Sequence, residues 1–270
     1  MAASGSHFLR LQNVSKHYAG VTALAGVDFQ LKGGEIHCLA GENGSGKSTL
    51  IKIISGVTPP EAGAVVEIAG HRHHRLTRRQ AIDAGIEVIY QDLALFPNLS
   101  VAENIAWCGL LEARRRWMNW RHAGQRAAAA LAQLQVQLPL GKAVGELSAA
   151  EQQLVAIARA CTARLRLLIM DEPTTALTRH EINALFAVVH QLQQRGVTIL
   201  FVSHKLDEVF EIADRVTVLR DGRHVGCFPT DQLTPASLVQ HMTGRPVQRH
   251  PPASPPGSTP RVLQVSGLSR

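Results

Sequence analysis

The chain has 270 residues, 45% of them hydrophobic, and a formal net charge of +7 at pH 7. This length suits one substantial core, or one core with a small subdomain. The sequence contains no run of 18 or more apolar residues, which excludes a membrane-spanning helix of ordinary length. Its four cysteines are far apart and form no C-x-x-C pair. They argue against a disulfide framework or a zinc site and indicate small buried side chains in a reducing cytosol.

Much of the positive charge lies in two patches, residues 72–79 and 114–126. Such patches can form a nucleic-acid surface. No aromatic side chain interleaves the arginines of the first patch, although Trp117 and Trp120 lie in the second. We therefore expect solvated faces, or faces near anionic lipid headgroups, and no nucleic-acid partner.

The N-terminal part predicts antiparallel strands. Residues 8–14 and 27–31 alternate apolar and polar side chains, and residues 65–70 form a further strand. Residues 16–20 read as a turn that carries Tyr18, whose flat ring could stack on an adenine face or simply belong to the core.

Residues 41–49 fit the phosphate-binding pattern G-x-x-x-x-G-K-[ST], between a short apolar strand at 35–40 and a run of helical spacing at 49–56. Glycines let the backbone approach a ligand closely, and its N–H groups then converge on phosphate oxygens at a helix N-terminus. Lys47 would reach the β- and γ-phosphates, Ser48 would hold Mg²⁺, and Thr49 would add a hydroxyl near the α-phosphate. The alternative is a glycine-rich turn without a ligand. The predicted nucleotide-binding residues here are Gly41, Asn43, Gly44, Ser45, Gly46, Lys47, Ser48 and Thr49.

The sequence crowds three histidines, His71, His73 and His74, into a basic segment after the third strand. A metal site is conceivable, but no Cys, Asp or Glu stands at ligand spacing, so we expect an exposed loop.

Residues 86–90 predict a strand that ends at Gln91, whose amide can face a metal ion or a water molecule. An apolar loop follows at 93–98. Ser100 with Glu103, and Ser148 with Glu151, each form the capping-box pattern of a helix start. The segment from 100 to about 163 reads as helical.

Residues 166–170 predict a buried parallel strand that delivers Asp171 and Glu172 at its carboxyl end, the edge where open α/β sheets bind ligands. Asp171 suits a Mg²⁺ ligand, and Glu172 suits a general base that polarises the attacking water. Two solvated acids at a strand end are the alternative. A further buried strand at 197–202 ends at Ser203 and His204, and His204 could contact a γ-phosphate or be a structural histidine. Residues 181–194 and 205–212 predict helices, and residues 215–228 a hairpin with an Asp-Gly turn.

These motifs, in this order and spacing, resemble the ATPase cassette of ABC transporters over about residues 8–245. Within that family the motif sequences are similar to those in the first cassette of carbohydrate importers of the ribose, xylose or galactose type, and of the related autoinducer importer. The resemblance implies an adenine-stacking role for Tyr18, a Q-loop role for Gln91, a signature-motif role for Ser148 in the opposing cassette, and a switch role for His204.

Two positions depart from the family pattern. The usual signature L-S-G-G-Q is replaced by Leu147, Ser148, Ala149, Ala150 and Glu151, whose bulk and charge would weaken the opposing site. Thr178 stands where many cassettes carry an aspartate, as in the sugar-importer group.

The resemblance predicts an α/β P-loop ATPase fold, with a parallel sheet, an antiparallel β subdomain and an α-helical subdomain. The cassette would span 8–247, with the helical subdomain at about 92–162 inserted in it. A Pro-rich linker follows at 248–260, and residues 261–270 echo the first strand, as if a second cassette began there.

The resemblance further implies an ATP- and Mg²⁺-dependent ATPase that powers sugar import at the cytoplasmic face of a bacterial inner membrane, as a peripheral subunit. Its partners would be permease subunits, a second cassette in the same full-length chain and, indirectly, a substrate-binding protein. The alternatives are a soluble tandem-cassette factor acting on ribosomes or nucleic acid, and a nucleotide-binding module without turnover. The Pro-rich linker argues against the first, and Glu172 with His204 argues against the second.

Overall fold

The computed structural model describes residues 7–112, 120–245 and Ser266, with only the backbone for 108–112 and 120. Apart from Ser266, the predicted linker at 248–260 and the predicted second-cassette strand at 261–270 lie outside the described residues, as do residues 114–119 of the second basic patch.

The described residues contain ten β-strands and eight α-helices. The strands are β1 (His7–Tyr18), β2 (Val21–Lys32), β3 (Ile36–Ala40), β4 (Val65–Ile68), β5 (His71–His73), β6 (Ile86–Ile89), β7 (Leu167–Asp171), β8 (Thr198–Val202), β9 (Arg215–Arg220) and β10 (Arg223–Pro229). The α-helices are α1 (Lys47–Ile54), α2 (Arg78–Asp83), α3 (Val101–Glu112), α4 (Trp120–Gln133), α5 (Ala149–Ala160), α6 (Arg179–Gln194), α7 (Leu206–Ile212) and α8 (Pro235–Thr243).

The first sheet is antiparallel, with the strand order β2-β1-β4-β5. The predicted turn at 16–20 is wrong for its first three residues, because β1 continues to Tyr18, which pairs with Val21. Only Ala19 and Gly20 form the loop, both with positive φ, as a two-residue hairpin requires. The exposed loop predicted at the histidines is also wrong in part, because residues 71–73 pair with β4 as a short edge strand.

The second sheet has six strands in the order β10-β9-β3-β8-β7-β6. Strands β9, β3, β8, β7 and β6 pair in parallel, and β10 adds an antiparallel edge. The carboxyl ends of β3, β8, β7 and β6 therefore meet at one edge, which is where the predicted site residues follow in the sequence. This arrangement confirms the predicted α/β fold class.

Three hydrophobic clusters hold the layers together. One joins α1 to the antiparallel sheet and one face of the parallel sheet. A second packs α5, α6 and the helices of 101–134 on the opposite face, and a third lies between β9 and helices α7 and α8. Helix α1 has five buried residues, and β3 before it is buried along its whole length. The loop between them is therefore anchored at both ends.

The two predicted capping boxes are confirmed: the Ser100 N–H donates to Glu103 Oε2 at 2.7 Å, and the Ser148 N–H donates to Glu151 Oε2 at 2.8 Å. The prediction of continuous helix to about 163 is wrong between α4 and α5. Gln135 has a φ of +53°, and Pro139 cannot donate a helical hydrogen bond, so the chain leaves the helix and forms a bridge from Ala143 to Ser100.

The C-terminal hairpin is confirmed as β9 and β10. Helix α8 was not predicted, although Thr234 at its N-cap, Pro235 at its first position and Gly244 at its C-cap are its ordinary boundary signals. Among the described helices, none is both long and apolar enough to cross a membrane.

Candidate active site

The loop after β3 depends on glycines that have no room for a side chain. A Cβ on Gly46 would lie 2.5 Å from the Ala23 carbonyl oxygen, and one on Gly41 would overlap the Leu219 carbonyl oxygen. Gly46 also has a φ of +101°, which side chains disfavour. By contrast, a Cβ on Gly44 would meet nothing within 4 Å, so the loop is tightly held beneath and open at its tip.

Helix α1 begins without the features that satisfy other helix starts in this chain. Gly46 offers no side-chain cap and the first turn contains no acid, whereas α2, α5, α6 and α8 each begin with a capping box. The first N–H groups of α1 are thus available to an anion, which the helix dipole also favours. The hydroxyl of Ser45 is buried in the same loop, with no hydrogen-bond partner among the described residues.

Lys47 provides the positive charge of the loop. Its side chain is largely buried, and its ammonium donates to the carbonyl oxygens of Gly41 at 2.8 Å and Glu42 at 2.9 Å. Burial lowers the pKa of Lys47, while the nearby charges of Glu172 and Asp171 oppose that shift. The lysine therefore lies within electrostatic reach of both strand-end acids.

Asp171 ends β7, and Glu172 follows it at the same sheet edge. Burial, and then the charge of Glu172, raise the pKa of Asp171, while Lys47 opposes the shift. Two acids side by side destabilise each other unless a cation joins them.

Glu172 and His204 are in direct contact. His204 Nδ1 lies 3.0 Å from Glu172 Oε1, across the neighbouring ends of β7 and β8. Glu172 has a φ of +48°, unusual for a residue other than glycine, and its N–H donates to the Val202 carbonyl oxygen at 3.0 Å. The hydrogen bond to Val202 at the sheet edge holds this backbone conformation. It thereby fixes the position from which the Glu172 side chain extends.

A cleft of about 470 Å³ joins most of these groups. Its lining includes nine of the predicted site residues: Asn43, Gly44, Gly46, Lys47, Ser48, Thr49, Gln91, Asp171 and Glu172. Gly41 and Ser45 belong to the same loop, and His204 reaches the cleft through Glu172. Sequence reasoning missed Val21, Thr22 and Ala23, which also line the cleft. The shorter hairpin loop carries them there, a consequence of the strand extension that the sequence did not show.

Tyr18 does not line this cleft. Its side chain is 42% exposed at the end of β1, and the Lys16 ammonium lies 5.5 Å from its ring centre. It adjoins the cleft through the hairpin loop that leads to Val21.

Ser148 also lies away from the loop of residues 41–49. It is exposed at the start of α5, and its hydroxyl accepts the Glu151 N–H at 3.2 Å. The adjoining residues Ala149, Gln152 and Gln153 border a second cavity, of about 380 Å³, whose other walls include Gln91 and Glu172. Gln91 and Glu172 thus line both cavities.

A buried carboxylate that sequence reasoning missed ties two parts of the site together. Glu208 is only 2% exposed and accepts hydrogen bonds from Thr174 at 2.6 Å and Ser203 at 2.8 Å, with the Lys205 ammonium at 3.1 Å. It thereby joins the segment after Glu172 to the residues on both sides of His204. A single Glu in a short helix carries no sequence signal for this role.

A glycine-rich loop before a helix, facing acids at the ends of adjacent parallel strands, defines the P-loop class of α/β proteins. The chain belongs to the ABC transporter family, because the family model described as ABC transporter matches residues 24–175. Among solved structures it resembles the ADP conformation of MJ1267, an ATP-binding cassette of an ABC transporter, with a TM-score of 0.78 and 25% identity over 89% of this chain and 100% of that one. It also resembles the dimeric post-hydrolysis state of the cassette MJ0796 bound to ADP and Pi, with a TM-score of 0.71 and 26% identity over 82% of this chain and 98% of that one.

Curated relatives carry a more specific name. Ribose import ATP-binding protein RbsA 2 of Rubrobacter xylanophilus is 46% identical over 97% of this chain and 50% of its own length. RbsA 1 of Streptomyces avermitilis is 43% identical over 99% of this chain and 51% of its own length. The chain thus spans about half the length of the curated relatives it matches.

Proposed function

We propose that this chain binds and hydrolyses ATP. The observation that carries the proposal is the single cleft in which the P-loop, with Lys47 and an uncapped α1, faces the acid pair Asp171 and Glu172. Phosphates would accept from the N–H groups of the loop and from Lys47. Tyr18, exposed beside the cleft, would stack on the adenine.

The donor set of the cleft fits Mg²⁺. Ser48, Gln91 and Asp171 offer a hydroxyl, an amide and a carboxylate on one cleft, and Mg²⁺ bound with nucleotide needs only one or two protein oxygens besides phosphates and waters. The described residues contain no cluster of three or more His, Cys, Asp or Glu that could hold a metal ion alone. A Mg²⁺ ion that is bound together with a nucleotide does not need such a cluster, because phosphate oxygens supply some of its ligands. When bound, the ion supplies positive charge to the phosphates.

Glu172 is the proposed base. Its carboxylate would accept a proton from the attacking water, and His204, 3.0 Å from Oε1, would orient that carboxylate and contact the γ-phosphate. Glu208 would hold His204 and the segment after Glu172 in register through Ser203 and Thr174.

We further propose that the hydrolysis powers import of ribose or a related sugar. The support is the name of the curated relatives, ribose import ATP-binding protein, at 41–46% identity. Transmembrane permease subunits would be the direct partners, a substrate-binding protein an indirect one, and the cytoplasmic face of the membrane the location. A second cassette is proposed because those relatives are about twice as long as this chain.

Ribose uptake tests this import function. In membrane vesicles that contain the permease and the full-length protein, we expect ATP to drive accumulation of ribose, and Lys47→Ala to abolish it because the phosphates lose their main side-chain cation. Lys52→Ala, a change about one and a half turns further along α1, is the matched control and should retain uptake. Accumulation that continues undiminished in Lys47→Ala would contradict the proposal, and ATP turnover without ribose accumulation would favour the soluble tandem-cassette alternative.

The segment from Leu93 to Glu103 is the proposed docking site for a permease helix. Phe96 is 42% exposed and packs on Trp107 with ring centres 4.9 Å apart. The loop is firmly held, because the fully buried Asn104 accepts the Phe96 N–H at 2.8 Å and donates to the Phe96 carbonyl at 3.0 Å. A rigid loop with an exposed aromatic side chain suits a protein contact.

Cross-linking checks this surface. A cysteine at Leu95, which lines the second cavity, or at the exposed Asn98 should capture the permease in intact vesicles with a short bifunctional reagent. A cysteine at Arg75, in the exposed basic patch, serves as the matched control. Capture from Arg75 without capture from either loop position would count against docking here.

We also propose that two cassettes close on each ATP. Ser148 and Ala149 are exposed and lie outside the cleft of their own chain, and the solved cassette MJ0796 is described as dimeric with ADP and Pi bound. The Ser148 segment of one cassette would then complete the P-loop site of the other.

A further inference from the structure

A polar cluster that shares no residue with the proposed ATP site lies at the C-terminal hairpin. We call it the Cys227 cluster, and it consists of Glu35, His37, Arg215, Thr217 and Cys227. His37 is completely buried; its Nδ1 lies 3.0 Å from Glu35 Oε1 and its Nε2 lies 2.8 Å from Thr217 Oγ1. The chemistry proposed above uses none of these side chains.

The sulfur of Cys227 faces positive charge. Arg215 Nη2 donates to Cys227 Sγ at 3.0 Å, while Arg215 Nη1 lies 3.5 Å from Glu35 Oε2. The guanidinium of Arg215 thus contacts the thiol directly, and Glu35 joins Arg215 to His37. A cation beside a cysteine favours the thiolate.

The ionisation of the cluster follows this geometry. Burial would raise the pKa of Cys227, but the neighbouring polar side chains of His37 and Thr217 and the nearby charges of His37 and Arg215 together hold that pKa below its ordinary value. Burial likewise opposes the charged form of His37, but its contacts with Cys227 and Glu35 raise the pKa of His37 overall. Thiolate and imidazolium thus stabilise each other.

The other two cysteines with described side chains have raised pKa values instead of a lowered one. Burial raises the pKa of Cys38 to about 12 and that of Cys161 to about 11. Sequence reasoning treated all the cysteines as small buried side chains. That interpretation holds for Cys38 but is wrong for Cys161 and Cys227, which are both only partly buried.

A small cavity gives access to the Cys227 thiol. Its volume is about 230 Å³, and it lies between the antiparallel sheet and the hairpin. Its charged and titratable lining side chains carry both signs and come from β1, β2 and β10: Arg10, Asp28, His224 and Cys227. A cavity with both a cation and an anion fits a small zwitterion that carries an amino and a carboxylate group.

We propose that Cys227 is a reactive thiol that forms a mixed disulfide with a small amino-acid disulfide such as cystine. The Cys227 thiolate attacks one sulfur of the disulfide, a new S–S bond forms to Cys227, and the old S–S bond breaks. The leaving thiolate carries away the electron pair and takes a proton from solvent. The protein thiol is oxidised and half of the small disulfide is reduced, so no further oxidant is needed.

The test is the rate of adduct formation at each cysteine at pH 7. The 270-residue chain with Cys108→Ser is incubated with cystine, and the adducts are located by peptide mass spectrometry. We expect Cys227 to react at least about tenfold faster than Cys161 or Cys38, since the larger thiolate fraction outweighs the lower intrinsic nucleophilicity of a low-pKa thiol. Equal rates at Cys227 and Cys161 in the folded chain would overturn the proposal.

Variants separate activation from mere exposure. Arg215→Gln should slow the reaction of Cys227 several-fold and move the pH midpoint of its alkylation by iodoacetamide upward, because a cation at 3.0 Å from the sulfur is lost. Arg215→Lys keeps the charge and should retain most of the rate, which guards against a folding defect in the glutamine variant. Arg223→Gln, an exposed arginine on the same hairpin, is the control. An unchanged rate and midpoint in folded Arg215→Gln would show that the thiol is accessible but not activated.

Discussion

Replacing Glu172 by glutamine in the full-length protein is expected to slow ATP hydrolysis by about 10²–10⁴-fold, the usual contribution of a general base. Glutamine has nearly the same shape but cannot accept the proton of the attacking water. The P-loop, Lys47 and Ser48 are unchanged, so ATP should still bind. The measurements are the steady-state ATPase rate and ATP binding by calorimetry.

The variant also leaves the local structure in place. The Glu172 N–H still donates to Val202, and the glutamine Oε1 can still accept from His204, so any loss reports chemistry more than folding. Glu42→Gln, which changes an exposed acid of the P-loop itself, is the matched control and should keep its rate. His204→Ala should slow turnover in the same direction. An ATPase rate in Glu172→Gln equal to that of the unaltered protein would show that another group is the base.

The parts of the site that lie next to one another in sequence were predictable. Residues 41–49 and the pair Asp171 and Glu172 each follow an apolar run of strand length, and parallel strands bring their carboxyl ends to one edge. Contacts between distant segments gave no such signal. Glu208, on α7, meets Thr174 and Ser203 only in the folded chain. Val21 lies at the cleft only because β1 continues to Tyr18, four residues beyond the alternating residues 8–14.

In the fold, too, local patterns were predictable from the sequence and contacts between distant segments were not. Hydrophobic alternation located β1 and β2, and the Asp-Gly turn located the C-terminal hairpin. The segment between α4 and α5 was missed because the alanine-rich end of α4 before it favours helix. Cys227 is the clearest case. Its spacing indicates a small structural cysteine, while its Arg215 and His37 neighbours come from β9 and β3, ten or more residues away in the chain.

The chain alone is expected to bind ATP but to hydrolyse it far more slowly than a complete two-cassette protein. The binding elements belong to one cassette, so an affinity in the micromolar range, about −8 kcal/mol, is expected. Under the proposed pairing, the site is completed by the Ser148 segment of another cassette. Two copies of this chain would have to use Ala149, Ala150 and Glu151 on both faces, where the methyl groups hinder a close approach and the Glu151 charge opposes a γ-phosphate.

The structure adds one detail to this expectation. The Glu151 carboxylate is turned back onto the Ser148 N–H at 2.8 Å, and glutamine can close the same capping box. A triple variant, Ala149→Gly, Ala150→Gly and Glu151→Gln, should therefore raise the rate without losing the start of α5, whereas Glu151→Gln alone should raise it less. The measurement is the ATPase rate per P-loop over a range of protein concentrations. A composite site makes this rate rise with concentration, because two copies must meet; a rate that is independent of concentration and equal to that of the full-length transporter would show that one cassette carries a complete site.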